Sequence, residues 1–174
     1  MILERAADAI ARHAPVRAFL AGFAATADGY HATRPDPRGG GAERALRQAL
    51  HQAGAVARDI DHVNTHGTGT ALNDTAEAAV LGRVLAGRHP PVTSAKGVLG
   101  HTMGAAGAIE AALTVLAIQH QLVPPTANFT RPGPDTRDLD VVAGAARPHR
   151  IELAVSNSFG FGGQNTALAF RSAT

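Results

Sequence analysis

Two histidines and the only lysine of this 174-residue chain stand in settings tight enough for chemistry. His66 lies in "NTHGTGTALND" (64–74), at the end of a strand-like run and inside a Gly/Thr turn. Lys96 and His101 lie in "SAKGVLGHTMGAAGAIEAAL" (94–113), at the mouth of a Gly/Ala-rich helix. A histidine at the carboxyl end of a strand faces the crevice where α/β sheets bind ligands. Gly67 and Gly69 let the backbone come close to a ligand, and the hydroxyls of Thr68 and Thr70 suit an amide. Small residues after His101 permit close packing, so its ring is expected near a helix N-terminus and largely desolvated; both effects disfavour imidazolium. A neutral imidazole neutralises charge poorly but makes a good fixed hydrogen-bond donor. Each feature also has a plain structural reading: a satisfied core histidine in a turn, a capping histidine, a solvated lysine.

Other chemistries find less support. Asp74 and Glu77 have the N-cap and N3 spacing of a capping box; the alternative is that Glu77 is a charge partner holding the site lysine. "SFGFGGQN" (158–165) lacks the third glycine of a dinucleotide loop, because Asn165 takes its place, and a strand follows where a helix is required. It is either a tight β-turn or a flexible loop that presents a backbone N–H to an oxyanion. His62 and His66 share one strand face but have no evident third ligand, so no metal is expected. The G-x-S-x-G elbow of a serine hydrolase is missing. With no cysteine, the chain holds no disulfide, thiolate metal site or cysteine nucleophile of its own.

The length suits one domain with a sizeable core. Sixteen basic residues against fourteen acidic leave a net charge of only +2, and no basic block is interleaved with aromatics, so a nucleic-acid partner is not expected. "MILERAADAI" lacks the basic and apolar regions of a signal peptide. The most apolar run, 104–118, carries Glu110 and is short for a membrane span. A soluble cytoplasmic protein is expected.

Patterning predicts strands in "VRAFLAGFAATA", "IDHVNTH", "PPVTSA", "LDVVAG", "IELAVSNS" and "NTALAF". Helices are predicted in "AERALRQALHQAG", "DTAEAAVLGRVLAG" and "GAAGAIEAALTVLAIQHQ", with a Pro/Gly loop at 28–41. The order is α/β. In the last helix only Glu110 and Thr114 are polar between 104 and 118, four residues apart on one stripe. A helix apolar nearly all round belongs in a buried layer, so a second polypeptide surface is expected to complete the core. "MILERAADAIARHA" passes from a strand-like piece directly into helix, as if entering the middle of a fold.

Together, "NTHGTGTALNDTAEA", "TSAKGVLGHTMGAAGAIEA", "VPPTANF" and "NSFGFGGQN" resemble the C-terminal half of a β-ketoacyl-acyl carrier protein synthase. The likeness is greatest to the elongating KAS II-like branch and its aromatic polyketide relatives, and "TADGYHATRPDP" resembles a gating loop of that family. The resemblance implies half of a thiolase-like fold: a mixed five-stranded sheet with helices, one helix layer buried against the other half. Residues 1–15 would then be the end of the N-terminal half and the linking helix, and 16–174 the C-terminal domain. The implied reaction is a decarboxylative Claisen condensation of an acyl thioester with malonyl-carrier protein. By that resemblance His66 and His101 are the catalytic histidines, Lys96 organises the pocket and Glu77 is its acidic partner. Thr68 and Thr70 bind the 4'-phosphopantetheine arm that arrives on the acyl carrier protein, no cofactor being tightly bound. Phe161, flanked by Gly160 and Gly162, supplies the gate and the oxyanion N–H. The implied partners are a cysteine-bearing N-terminal half and the carrier protein, in a homo- or hetero-oligomer. A chain-length-factor-like or scaffold subunit of a ketosynthase heterocomplex is the alternative.

Overall fold

The computed structural model describes residues 1–173. A short helix α1 (Ala6–Ala11) precedes β1 (Ala18–Ala27), then α2 (Gly40–Gln52), β2 (His62–Asn64), α3 (Ala71–Leu85) and β3 (Val92–Thr93). There follow α4 (Lys96–Leu99), α5 (Ala106–His120), the small pair β4 (Leu122–Val123) and β5 (Arg147–Pro148), then β6 (Leu153–Gly160) and β7 (Gln164–Ser172). Residues 1–5 form no strand, and Met1, Ile2 and Leu3 are exposed.

The main sheet has the order β1-β7-β6-β2-β3 and is mixed. β6 and β7 form an antiparallel hairpin from Leu153↔Arg171 to Gly160↔Gln164, while β2 runs parallel to both β6 and β3. The expected strand in "LDVVAG" shrinks to a single parallel bridge, Val92↔Val141, because β3 is itself only two residues long and gives it nothing further to pair with.

Apolar side chains fill both faces of this sheet. On one, Leu46 and Leu50 of α2 and Val80, Leu81 and Val84 of α3 pack with Val63, Leu153 and Val155. On the other, Ala111, Ala117 and Ile118 of α5 pack with Ala154, Ile151 and Phe170. Adjacent residues of β6 thus serve opposite faces, as period-2 geometry demands.

α5 is turned against the usual rule. Before its last two residues its only polar side chains, Glu110 and Thr114, are both buried, while Ala108 and Leu116 on its far side are exposed. The run Met103–His120 is long and apolar enough to cross a membrane by composition. Its buried glutamate and its packing on β6 give it instead the role of a core helix whose outer apolar face stays uncovered.

α2 lies so close to β1 that Gly22 has no room for a side chain: a Cβ there would meet the Ala49 carbonyl oxygen at 2.1 Å and the Ala53 nitrogen at 2.9 Å. Gly22→Ala is therefore expected to lower stability by about 1–3 kcal/mol through overpacking. Gly82→Ala, inside α3 with nothing within 4 Å of its added Cβ, should raise it by roughly 0.5–1 kcal/mol. Urea unfolding of the two variants checks both signs.

Candidate active site

The parallel strands end where the site begins. β2 stops at Asn64, and the chain turns through Thr65, His66 and Gly67 before α3 starts at Ala71. Gly67 has φ +41°, and a Cβ on it would collide with Ser94 and Thr65. Ser94, just beyond β3, donates its hydroxyl to the Gly67 carbonyl at 2.7 Å. Only glycine can make this turn so close to the neighbouring strand.

Both backbone groups of His66 are clamped. Its N–H and that of Gly67 donate to the two carboxylate oxygens of Glu77, each at 2.9 Å. Its carbonyl accepts a hydrogen bond from Lys96 Nζ at 2.5 Å. Lys96 also pairs with Glu110 from α5, with both side chains almost fully buried. The inward polar stripe of α5 is explained by this: Glu110 meets the lysine, and the Glu110 carbonyl and Thr114 hydroxyl accept from Asn64 Nδ2, each at 3.1 Å.

The two histidine rings meet. His66 and His101 have centroids 5.4 Å apart and stand edge to face at 78°. Phe159 of β6 packs against the His66 ring at 5.4 Å. Burial pushes His66 down to about 3, and the nearby charge of Lys96 and then His101 act in the same direction, so it is neutral near pH 7. Its Nδ1 is buried and has no hydrogen-bond partner among the described residues. His101 accepts the Met103 N–H on Nδ1 at 3.1 Å, which leaves Nε2 as the donor of its neutral ring. A cavity of about 340 Å³ opens beside the turn, with Gly67, Thr68, Glu77, Ser94, Lys96 and Phe129 in its wall.

A rigid pair of N–H donors beside a buried lysine suits stabilisation of an anion that forms on a substrate oxygen. The family profile "Beta-ketoacyl synthase, C-terminal domain" matches residues 17–130. The chain belongs to this family. A 3-oxoacyl-(acyl-carrier-protein) synthase 2 of Mycobacterium leprae is 48% identical over 170 residues, which cover 98% of this chain and 40% of that protein. A β-ketoacyl synthase from Burkholderia phymatum superposes with a TM-score of 0.93 at 38% identity, over 98% of this chain and 41% of the other. The ishigamide ketosynthase/chain length factor gives 0.92 at 36%, over 97% and 41%. The chain matches the C-terminal domain of KAS II-like synthases, has a thiolase-like fold and spans about two fifths of the length of the relatives it matches.

Several expectations need correction. Glu77 is not the partner of Lys96; Glu110 is. Glu77 sits on the far side of the turn, where two backbone N–H groups take its oxygens, with Asn73 and Asn157 at 3.4 Å. Nor do Asp74 and Glu77 form a capping box: the helix starts at Ala71, after Thr70, so both lie within it. His101 is exposed in this chain and not desolvated. Gly162, which flanks the Phe161 N–H expected to meet an oxyanion, donates its own N–H to the Ala32 carbonyl at 2.6 Å.

The remaining site residues lie as follows. The hydroxyls of Thr68 and Thr70 bond each other at 2.8 Å at the turn's outer rim. Phe161 stands exposed at the tip of the β6–β7 hairpin, next to Gly160, the last residue of β6. His62 is buried at the start of β2 and donates Nδ1–H to the Pro91 carbonyl at 2.9 Å; burial pushes it down to about 4.

Glu110 is the site residue that sequence reasoning missed. Its signal was present: one acid in a strongly apolar helix must find a counter-charge, and the chain has a single lysine. Burial pushes its carboxyl up, and the Lys96 contact opposes that shift.

Two outcomes follow from these contacts. Lys96→Met leaves a buried carboxylate unpaired and should cost about 3–5 kcal/mol, most of it recovered when Glu110→Gln is added; denaturant unfolding of the single and double variants reads this. The second concerns acid. His66 titrates at 6.5 when free and about 3 when folded, so its contribution is complete above 6.5 and is lost as pH falls towards 3. Between pH 7 and 5 that loss is about 2 kcal/mol. Buried Glu77 and Glu110, held upward, act in the opposite sense. The clean readout is therefore a difference: the fall in stability from pH 7 to 5 should be about 2 kcal/mol smaller in His66→Gln than in the parent. Equal slopes would mean that the folded ring takes up its proton as the free one does.

Proposed function

We propose that this chain is the C-terminal half of a decarboxylating β-ketoacyl-acyl carrier protein synthase of fatty-acid or polyketide synthesis. It works with a cysteine-bearing N-terminal half, in the same longer polypeptide or in a separate chain. Residues 1–15 would belong to the end of that half and its linking helix, and 16–174 to the C-terminal domain. The complex would be cytoplasmic and oligomeric. The observation that carries this reading is the pair of imidazole rings in contact at 5.4 Å, one of them buried and neutral beside Lys96.

Malonyl-carrier protein reaches the site on its phosphopantetheine arm, whose amides meet the Thr68 and Thr70 hydroxyls. The bond to the malonyl carboxylate breaks, CO2 leaves, and the electron pair moves onto the thioester oxygen. The Nε2–H groups of His66 and His101 hold that developing charge. Because His66 is already uncharged and clamped through its backbone, little rearrangement is needed as the charge forms. The enolate carbon then attacks the acyl group on the partner half's cysteine. The Phe161 N–H donates a hydrogen bond to the tetrahedral oxyanion, and collapse breaks the carbon–sulfur bond. The thiolate departs, and the β-ketoacyl product stays on the carrier protein.

A second reading is a non-catalytic subunit that shapes an acyl tunnel, as in a chain length factor. The similarity to a ketosynthase/chain length factor favours it. The His66, His101 and Lys96 cluster favours the enzyme.

The two readings part on CO2 release from malonyl-carrier protein by the chain combined with a cysteine-bearing half. In the enzyme, His66→Ala or His101→Ala should each reduce release by about 100- to 1,000-fold, as loss of one oxyanion donor does. Undiminished release in both variants would leave the chain-length role.

A further inference from the structure

The loop from Asp28 to Gly39 is tied to the hairpin tip at 161–165, and one exposed histidine closes its middle. At its two ends the loop is anchored by Asp28. One Asp28 oxygen accepts from Asn165 Nδ2 at 2.7 Å and the other from the Asp36 N–H at 3.0 Å, while the Asp28 N–H donates to the Gly163 carbonyl at 2.9 Å. Between these anchors stands His31. Its Nδ1 accepts the Thr33 N–H at 3.1 Å and the Arg34 N–H at 3.2 Å. Among the described residues, no other side chain from 29 to 35 makes a hydrogen bond. The tight turn made by the ring presents the Ala32 carbonyl outward, where it takes the Gly162 N–H at 2.6 Å. Gly162 has φ +80°, a conformation that holds Phe161 at the tip of the hairpin.

We infer that His31 is a positioning residue: its neutral imidazole fixes the turn at 32–34, whose Ala32 carbonyl in turn holds Gly162 and the Phe161 tip. A lone pair on Nδ1 is required, so the ring's proton lies on Nε2. An imidazolium has no acceptor and cannot close the turn. Short side chains that accept from backbone N–H groups two and three residues on do the same work in Asx turns. Asparagine should therefore replace this histidine, and alanine should not. The importance of the tip to catalysis rests on the ketosynthase reading above; the hold on the tip does not.

Amide hydrogen exchange in the full chain tests the hold directly, by NMR near neutral pH. In His31→Ala, exchange at Thr33, Arg34 and Gly162 should all speed up by roughly two- to tenfold, the range that loss of one modest hydrogen bond allows. In His31→Asn all three should return to the parent rates. A response at Thr33 and Arg34 without one at Gly162 would refute the link to the hairpin. No response at any of the three, or failure of asparagine to rescue, would refute the role of the ring. Decarboxylation of malonyl-carrier protein by the assembled synthase separates the two readings. If exchange responds as stated while CO2 release in His31→Ala equals the parent, the hold stands and the part given to Phe161 falls.

Discussion

A lysine charge held out of water organises this domain. Lys96 has almost no exposed side-chain surface, so its ammonium must be satisfied from within the protein. Glu110 supplies the counter-charge and the His66 carbonyl supplies a further acceptor. These two contacts draw together elements far apart in sequence: α4 with the lysine, α5 with the glutamate, and the turn after β2. On the other side of that turn Glu77 of α3 takes the backbone N–H groups. His66 is therefore gripped through its main chain from both directions, which leaves its ring to be tuned by surroundings. Burial and the lysine's charge both drive that ring to its neutral form. An uncharged donor in a fixed orientation is what stabilisation of a nascent oxyanion needs.

The same demand explains the inverted helix. A helix beside a sheet ordinarily buries its apolar stripe and shows its polar one. α5 cannot, because its one carboxylate and one hydroxyl are committed to Lys96 and Asn64. Some of its apolar surface is left outside, Leu116 included, as is Phe23 of β1. Exposed apolar surface of this kind marks an interface. It accords with a chain that spans about two fifths of the relatives it matches.

Much of the architecture could be read from local pattern. Alternating and 3.6-residue periods located β1, α2, α3, α5 and the β6–β7 hairpin to within a few residues. The "LDVVAG" segment failed as a strand because pairing depends on a neighbour, and β3 is too short to extend a ladder along it. The capping box failed for a similar reason. Its spacing is correct, but the helix begins three residues before Asp74, and spacing alone does not say where the backbone starts to coil. His101 was expected to lose its water; the small residues around it leave its ring open, since nothing in the described chain covers it.

Sequence alone determined the cast: two histidines, a solitary lysine, a solitary acid in an apolar helix, and glycines where backbone must pass close to backbone. Those choices are local, because residue type sets charge, donor capacity and accessible φ. Tertiary structure decided who meets whom. Glu77 and Glu110 are both buried acids on helices, eleven residues after His66 and fourteen after Lys96, and nothing in their spacing separates a charge partner from a backbone clamp. Which carboxylate reaches the lysine depends on where each helix axis lies against the sheet. That is set by side-chain packing across the whole core, and Coulomb attraction then acts between whichever charges the packing has brought together.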